Sequence, residues 1–283
     1  RLVGEALFLR AFYHFELTKV FGPVPLVNSL LSGDYNVPNR QGAADEKGDL
    51  QIKAVMDQVI EDCKSAIDKL PLEYMGADKG RATKGAARAL LCKSYIFTKQ
   101  WQLALDQALE IEKSGVYSID AKDVPYQEQY QIENDNGRHS IFAVQYVASG
   151  TYDQVGSLKR IDQTFRRVYN KSGKVVELSG KGYGLNTPTK EYVALFDAGD
   201  PRLDLIAKAG DSVYLTSAYE SSLTDGYYEI CFDQSKTGYY NRKCELSPSE
   251  LGATNQVDGM NFDLIKYSDV ILWAAEAYAN LGD

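Results

Sequence analysis

The chain has 283 residues, of which 44% are hydrophobic and 25% charged, with a net charge of −8. That length and apolar fraction suffice for a full hydrophobic core, in one large domain or two small ones. The acidic balance and the lack of a basic stripe argue against nucleic acid as a partner, and no run of about 18 apolar residues suggests a membrane-spanning helix.

The first element is GEALFLRAFYHFELTKVFGPVPLV, residues 4 to 27. Leu2, Ala6, Leu9, Tyr13, Leu17 and Val20 recur at three-and-four spacing and predict a buried helix face, with Phe8, Phe12 and Phe15 as a second apolar edge. Gly22 and Pro23 end the helix near residue 21. A polar connection with Gly33, Pro38, Gly42 and Gly48 follows. Ile52, Val55, Met56, Val59, Ile60, Cys63, Ile67 and Leu70 then predict a helix over 49–70, stopped by Pro71. Thr83 is the natural N-cap of a helix over 83–98, and a further helix over 101–113 ends at Gly115. This pair has the layout of a tetratricopeptide hairpin: Leu91 and Cys92, then Tyr95, then Ala104 stand where that repeat needs leucine, small and aromatic residues for close packing.

Residues 116 to 262 read differently. NDNGR at 134 to 138 leads into SIFAVQYVAS, whose alternation predicts a strand, and Thr187 or Thr189 starts a short helix before Gly199. Eleven of the twenty tyrosines fall between 145 and 262. This is a loop-rich, tyrosine-rich excursion set into a helical frame, and loops on a rigid scaffold are where binding usually resides. At the end, YSDVILWAAEAYANLGD repeats the first half of the hairpin pattern, with Ala274, Ala275, Tyr278 and a Leu-Gly turn, on a helix over 264–280. Both ends fall inside repeat architecture, so the sequence reads as a piece of a longer protein. The fold class is mostly α: a tetratricopeptide-like scaffold over 1–115 and 263–283, with the excursion over 116–262.

Chemistry-bearing motifs are few. Cys63 and Cys92 sit on apolar helix faces as core residues, while Cys231 and Cys244 are close enough in sequence to pair across a hairpin, though four cysteines make no disulfide framework. His14 and His139 are the only histidines and no CxxC exists, so no zinc site or other cofactor is expected. His14 reads as a core-edge residue. GRATKGAA has Ala86 where a P-loop has lysine, and neither GxSxG nor HExxH occurs. No carboxylate pair stands out for glycoside hydrolysis, so no enzymatic activity is expected.

The order of segments resembles the SusD/RagB family, the surface glycan-binding lipoproteins of Bacteroidetes. The opening segment is similar to that family's Gly-Glu-Ala, Phe-Leu-Arg-Ala-aromatic helix running into Phe-Gly-x-Val-Pro-Leu. GRATKGAARALL, SGVY, SIFAVQY, YGLNTPTKEYVALFDAGDPR and FDLIKYSDVILWAAEAYANLGD follow in family order, with Lys266 and Ser268 departing from the usual arginine and alanine. The resemblance implies glycan capture without catalysis, a lipid anchor outside this sequence on the extracellular face of the outer membrane, and a SusC-like TonB-dependent transporter as partner. The alternative is a protein- or peptide-interaction scaffold built on the tetratricopeptide-like helices.

Sugar rings stack on aromatics and their hydroxyls seek polar partners. Trp101 and Trp273 lie on apolar helix faces and read as packing residues. Tyr152, Tyr169, Tyr183, Tyr227, Tyr228, Tyr239 and Tyr240 stand beside glycine or polar residues. From these, Tyr152, Tyr169 and Tyr183 are the candidate stacking residues, with Asp153 and Arg160 as polar partners.

Overall fold

The computed structural model describes residues 1–26, 46–147, 163–178, 182–215, 217, 222–243, 245 and 259–282. They divide into two compact units: 1–119, 138–142 and 263–283 form the first, and 120–137 with 143–262 the second.

The first unit is helical. Its helices are α1 (Leu2–Phe21), α2 (Glu46–Ile67), α3 (Lys84–Phe97), α4 (Trp101–Lys113) and α6 (Tyr267–Leu281). Packing runs from α1 to α2 to α3 to α4 and on to α6. Thr83 caps α3, its hydroxyl accepting from the Ala86 amide at 3.1 Å. The α3–α4 contact is as close as the repeat spacing predicts: Leu91, Cys92, Tyr95 and Ala104 are all buried, and the Cys92 thiol donates to the Ala104 carbonyl at 3.3 Å. Burial pushes that thiol up to about 12, which keeps it a protonated core group. Cys63 is likewise buried, its thiol pushed far up by burial.

The predicted face of α1 is corrected by the structure. Leu2, Leu9, Tyr13, Leu17 and Val20 are exposed, Leu2 by 70%. The buried stripe is instead Gly4, Glu5, Phe8, Ala11, Phe15 and Thr18, in which 4, 8, 11, 15 and 18 keep strict heptad spacing. Phe8 meets Phe142 edge-on at 4.8 Å between ring centroids. Gly4 lies so close to the chain just past α2 that a Cβ there would stand 2.9 Å from Lys69 Cβ. Because α1 is apolar nearly all round, its sequence period could not choose the inward side.

A two-stranded sheet pairs β1 (Ser140–Val144) with β8 (Phe262–Lys266). β8 starts at the last residue of the excursion as read from sequence and runs on into the scaffold segment, and it delays the final helix from 264 to 267. The Asp269 carboxylate caps α6 by accepting from the Lys266 amide at 2.8 Å.

The second unit holds a four-stranded antiparallel sheet ordered β3 (Val175–Glu177), β2 (Arg167–Tyr169), β6 (Gly226–Ile230), β5 (Ser212–Leu215), and a separate pair of β4 (Ile206–Lys208) with β7 (Tyr239–Asn241). A one-turn helix α5 (Lys190–Val193) starts at Thr189, whose hydroxyl accepts from the Tyr192 amide at 3.1 Å. Its own core contains Phe165, Val168, Leu178, Val213, Leu215, Tyr228, Ile230 and Tyr240. Cys231 is a buried free thiol donating to Asp233 at 3.1 Å, and Cys244 lies outside the described residues. No group of metal-binding side chains occurs among the described residues, and none of their helices is long and apolar enough to cross a membrane.

Candidate functional site

Strand alternation sorts the tyrosines of the second unit. On β6, Tyr227 and Tyr228 are neighbours in sequence and therefore point to opposite sheet faces. Tyr228 enters the core, where its hydroxyl donates to the Thr224 carbonyl at 2.6 Å. Tyr227 is 71% exposed and pairs across the sheet with Tyr214 of β5, the two rings meeting edge-on at 5.2 Å. On β7 the same alternation buries Tyr240, whose phenol is pushed up to about 12 by burial, and turns Tyr239 outward opposite Lys208 of β4.

Those outward residues line a cavity of about 850 Å³ whose walls also carry Tyr130, Gln127, Gln131 and Ser212. Four tyrosines with amide and hydroxyl groups between them form a surface suited to apolar ring faces edged by hydroxyls. The polar wall is tied down. Gln127 donates to Asp204 at 2.9 Å and to the Pro201 carbonyl at 3.2 Å. Asp211 accepts from the Lys208 amide at 2.9 Å across a turn in which Gly210 takes a left-handed φ of 92°. Arg242 donates to both oxygens of Glu245, at 2.6 and 3.2 Å. Burial opposes the Arg242 charge, but the Glu245 carboxylate holds its pKa above the ordinary value.

A smaller cavity of about 330 Å³ shares Leu205 and Ile206 with the first and adds Tyr126, Tyr192, Arg202 and Lys243. Arg202 is bound to Asp200 at 2.6 Å and stacks over Phe196 at 4.5 Å, and Lys243 stands 5.1 Å above the Tyr130 ring.

Of the residues nominated from sequence, Tyr152, Asp153 and Arg160 lie outside the described residues. Tyr169, on β2, pairs with Glu229, which pairs with Ser212, so Tyr169 shares the outward sheet face of Tyr214 and Tyr227. Its phenol is raised by the adjoining Cys231 thiol. Tyr183 is exposed, with the Arg166 guanidinium 5.9 Å from its ring. It is held by Gly182, where a Cβ would stand 1.8 Å from the Phe165 carbonyl oxygen. Neither residue lines the larger cavity. Sequence reasoning missed Tyr130, although it stands between Gln129 and Gln131, and Tyr214, which stands between Val213 and Leu215. The usable signal for Tyr214 was the alternation in SVYL. Trp101 and Trp273 pack against the helical core, and Tyr95 is buried, but Tyr278 is partly exposed.

A family model described as "Starch-binding associating with outer membrane" matches residues 1–96, and one described as "SusD family" matches residues 123–283. SusD-like protein P2 of Formosa agariphila is 22% identical over 98% of this chain and 51% of its own length. A SusD-like protein of Bacteroides ovatus is 26% identical over 173 residues, which is 56% of this chain and 28% of that protein. Among solved structures, a laminarin-binding SusD-like protein superposes with a TM-score of 0.73 at 24% identity, covering 98% of this chain and 59% of that one. Surface glycan-binding protein A of Bacteroides thetaiotaomicron, in complex with laminarihexaose, gives 0.68 at 16% identity over 98% of this chain and 57% of that one. The chain therefore spans about half the length of the curated relative that matches it throughout. At these identities the structural likeness establishes the fold.

Proposed function

Because the chain belongs to the SusD family, we propose that it captures oligosaccharides without cleaving them and passes them to a SusC-like TonB-dependent transporter. The place of action is the outer face of the outer membrane. The observation that carries this reading is the cavity walled by Tyr130, Tyr214, Tyr227 and Tyr239. Two structural relatives are named for laminarin or laminarihexaose, so β-glucan fragments are the first ligands to try. Tyr169, on the same sheet face, extends the aromatic platform. Tyr152, Asp153, Arg160 and Tyr183 remain candidate contacts. The three carboxylates on the described wall act as hydrogen-bond acceptors for Gln127, the Lys208 amide and Arg242, which favours binding over acid–nucleophile chemistry.

A glycan array followed by titration calorimetry tests the proposal. Truncating a central aromatic anchor costs about 2 kcal/mol or more, so Tyr214→Ala with Tyr227→Ala should weaken a bound oligosaccharide by at least roughly 30-fold. Thermal stability should change little, because Tyr227 is mostly exposed. The triple replacement of Tyr152, Tyr169 and Tyr183 by alanine serves as the comparison: loss of binding there, with the cavity pair silent, moves the site to that surface. Sustained release of reducing ends that depended on one carboxylate would refute the non-catalytic reading.

The outward apolar stripe of α1 favours a second reading, a protein-docking role for the helical unit. A blank array together with tight binding to the transporter would select it.

A further inference from the structure

We infer that the tyrosine-walled cavity takes an uncharged oligosaccharide and discriminates against uronate- or sulfate-bearing ones; this rests on the glycan-capture reading. Recognition of a carboxylated or sulfated sugar needs a cation free to meet the anion, most effectively an arginine fork. Among the described wall residues three carboxylates, Asp204, Asp211 and Glu245, face two cations, Lys208 and Arg242. The arginine fork is already occupied: both of its donated bonds end on Glu245, and its backbone amide is fixed to the Leu205 carbonyl at 2.9 Å. Lys208 is exposed, and only its backbone amide meets Asp211; against this one flexible charge stand Asp204 and Asp211, whose bonds come from Gln127 and a backbone amide and not from a cation.

The neighbouring cavity adds a lysine but no unoccupied arginine fork. Its arginine, Arg202, is bound to Asp200 through three contacts of 2.6 to 3.1 Å, and its lysine, Lys243, stands over the Tyr130 ring. The remaining attractive features, tyrosine faces with amide and hydroxyl groups, act on ring CH faces and hydroxyls and do not depend on ligand charge. An anionic sugar would give up hydration and gain at most one exposed lysine in exchange, on a described wall where carboxylates outnumber cations three to two. The chain's net charge of −8 opposes its approach as well.

The test is an array of length-matched neutral and acidic oligosaccharides, including laminarihexaose, maltohexaose and cellohexaose against hexagalacturonate and a sulfated hexasaccharide. Calorimetry of the full 283-residue chain follows on each positive. Binding should be confined to neutral sugars, with any acidic counterpart roughly tenfold weaker or more, the scale of a like-charge contact at a solvated wall. Glu245→Gln, which releases the Arg242 fork, should raise acidic-sugar affinity relative to neutral by several-fold. Asp204→Asn should move the ratio in the same direction, and melting temperatures confirm that both variants fold. An acidic sugar that binds as tightly as its neutral counterpart overturns the inference and leaves glycan capture standing. So does a ratio that neither variant moves. A blank array for every sugar removes glycan capture, and this inference with it.

Discussion

Arg10, within the Phe-Leu-Arg-Ala segment of α1, reaches across to α2 and places Nε 2.7 Å and Nη2 2.6 Å from the two oxygens of Asp62. The Asp62 side chain is only 3% exposed, and Gln58 adds one amide bond at 2.9 Å. Arg10→Leu would leave that carboxylate buried with a single neutral donor. Breaking a buried pair from one side costs about 3–5 kcal/mol. The lower end applies here, since Gln58 stays in place and Arg10 is itself about a third exposed, letting water approach the vacated side. A loss of about 3 kcal/mol would lower the melting temperature by roughly 6–12 °C for a protein of this size. Asp62→Leu alone should cost less, because the freed guanidinium can turn to solvent. The double variant, Arg10→Leu with Asp62→Leu, should recover most of the stability, since an apolar pair of similar volume replaces a buried ion pair at little net cost. Urea unfolding followed by far-ultraviolet circular dichroism reads the helical unit directly. A single-variant cost under about 1 kcal/mol, the scale of an exposed ion pair, would refute the reasoning. So would a double variant as unstable as Arg10→Leu.

Two glycines should respond differently to alanine. Gly182→Ala meets both a φ of 65° and a backbone oxygen 1.8 Å from the new Cβ, whereas Gly22 has a φ of 72° with nothing within 4 Å. Gly22 has a ψ of −131°, outside the left-handed helical region, so chemical denaturation should show about 1–3 kcal/mol lost there from the backbone conformation alone, and clearly more at Gly182. The buried His139 gives a pH signature. Burial holds its pKa below the ordinary value, reinforced by Lys266 and opposed by Asp263, whose Oδ2 lies 3.9 Å from Nε2. A histidine depressed in the folded state contributes stability that is complete above its unfolded pKa of about 6.5, and it is lost as pH falls toward the folded value. Melting temperature should drop between about pH 7.5 and pH 5, and His139→Gln should flatten that drop. An equal slope in the variant would assign the pH dependence elsewhere.

The helical unit was legible because its signals are local. Thr83 caps where its chemistry predicts, α4 runs over the predicted 101–113, and Leu91, Cys92, Tyr95 and Ala104 interlock as the repeat spacing requires. What escaped the sequence depended on distant partners. The inward side of α1 is decided by Asp62, Phe142 and the chain just past α2, not by its own period. β8 is a strand because β1, more than a hundred residues earlier, lies beside it, with Ser140 donating to Asp263 at 2.5 Å. The candidate site was half visible. Tyr227 and Tyr239 had been singled out as types, but only the strand pairing separated them from the buried Tyr228 and Tyr240.

That separation within two adjacent tyrosine pairs has a consequence for how such a protein diverges. Along β6 and β7 the inward positions are committed to the core, while the outward ones next to them bear almost none of its packing. Substitutions at 227 and 239 are therefore nearly free of folding constraint, whereas those at 228 and 240 are not. Lineages can exchange the aromatic furniture of the cavity one odd-numbered or even-numbered step at a time and hold the backbone still.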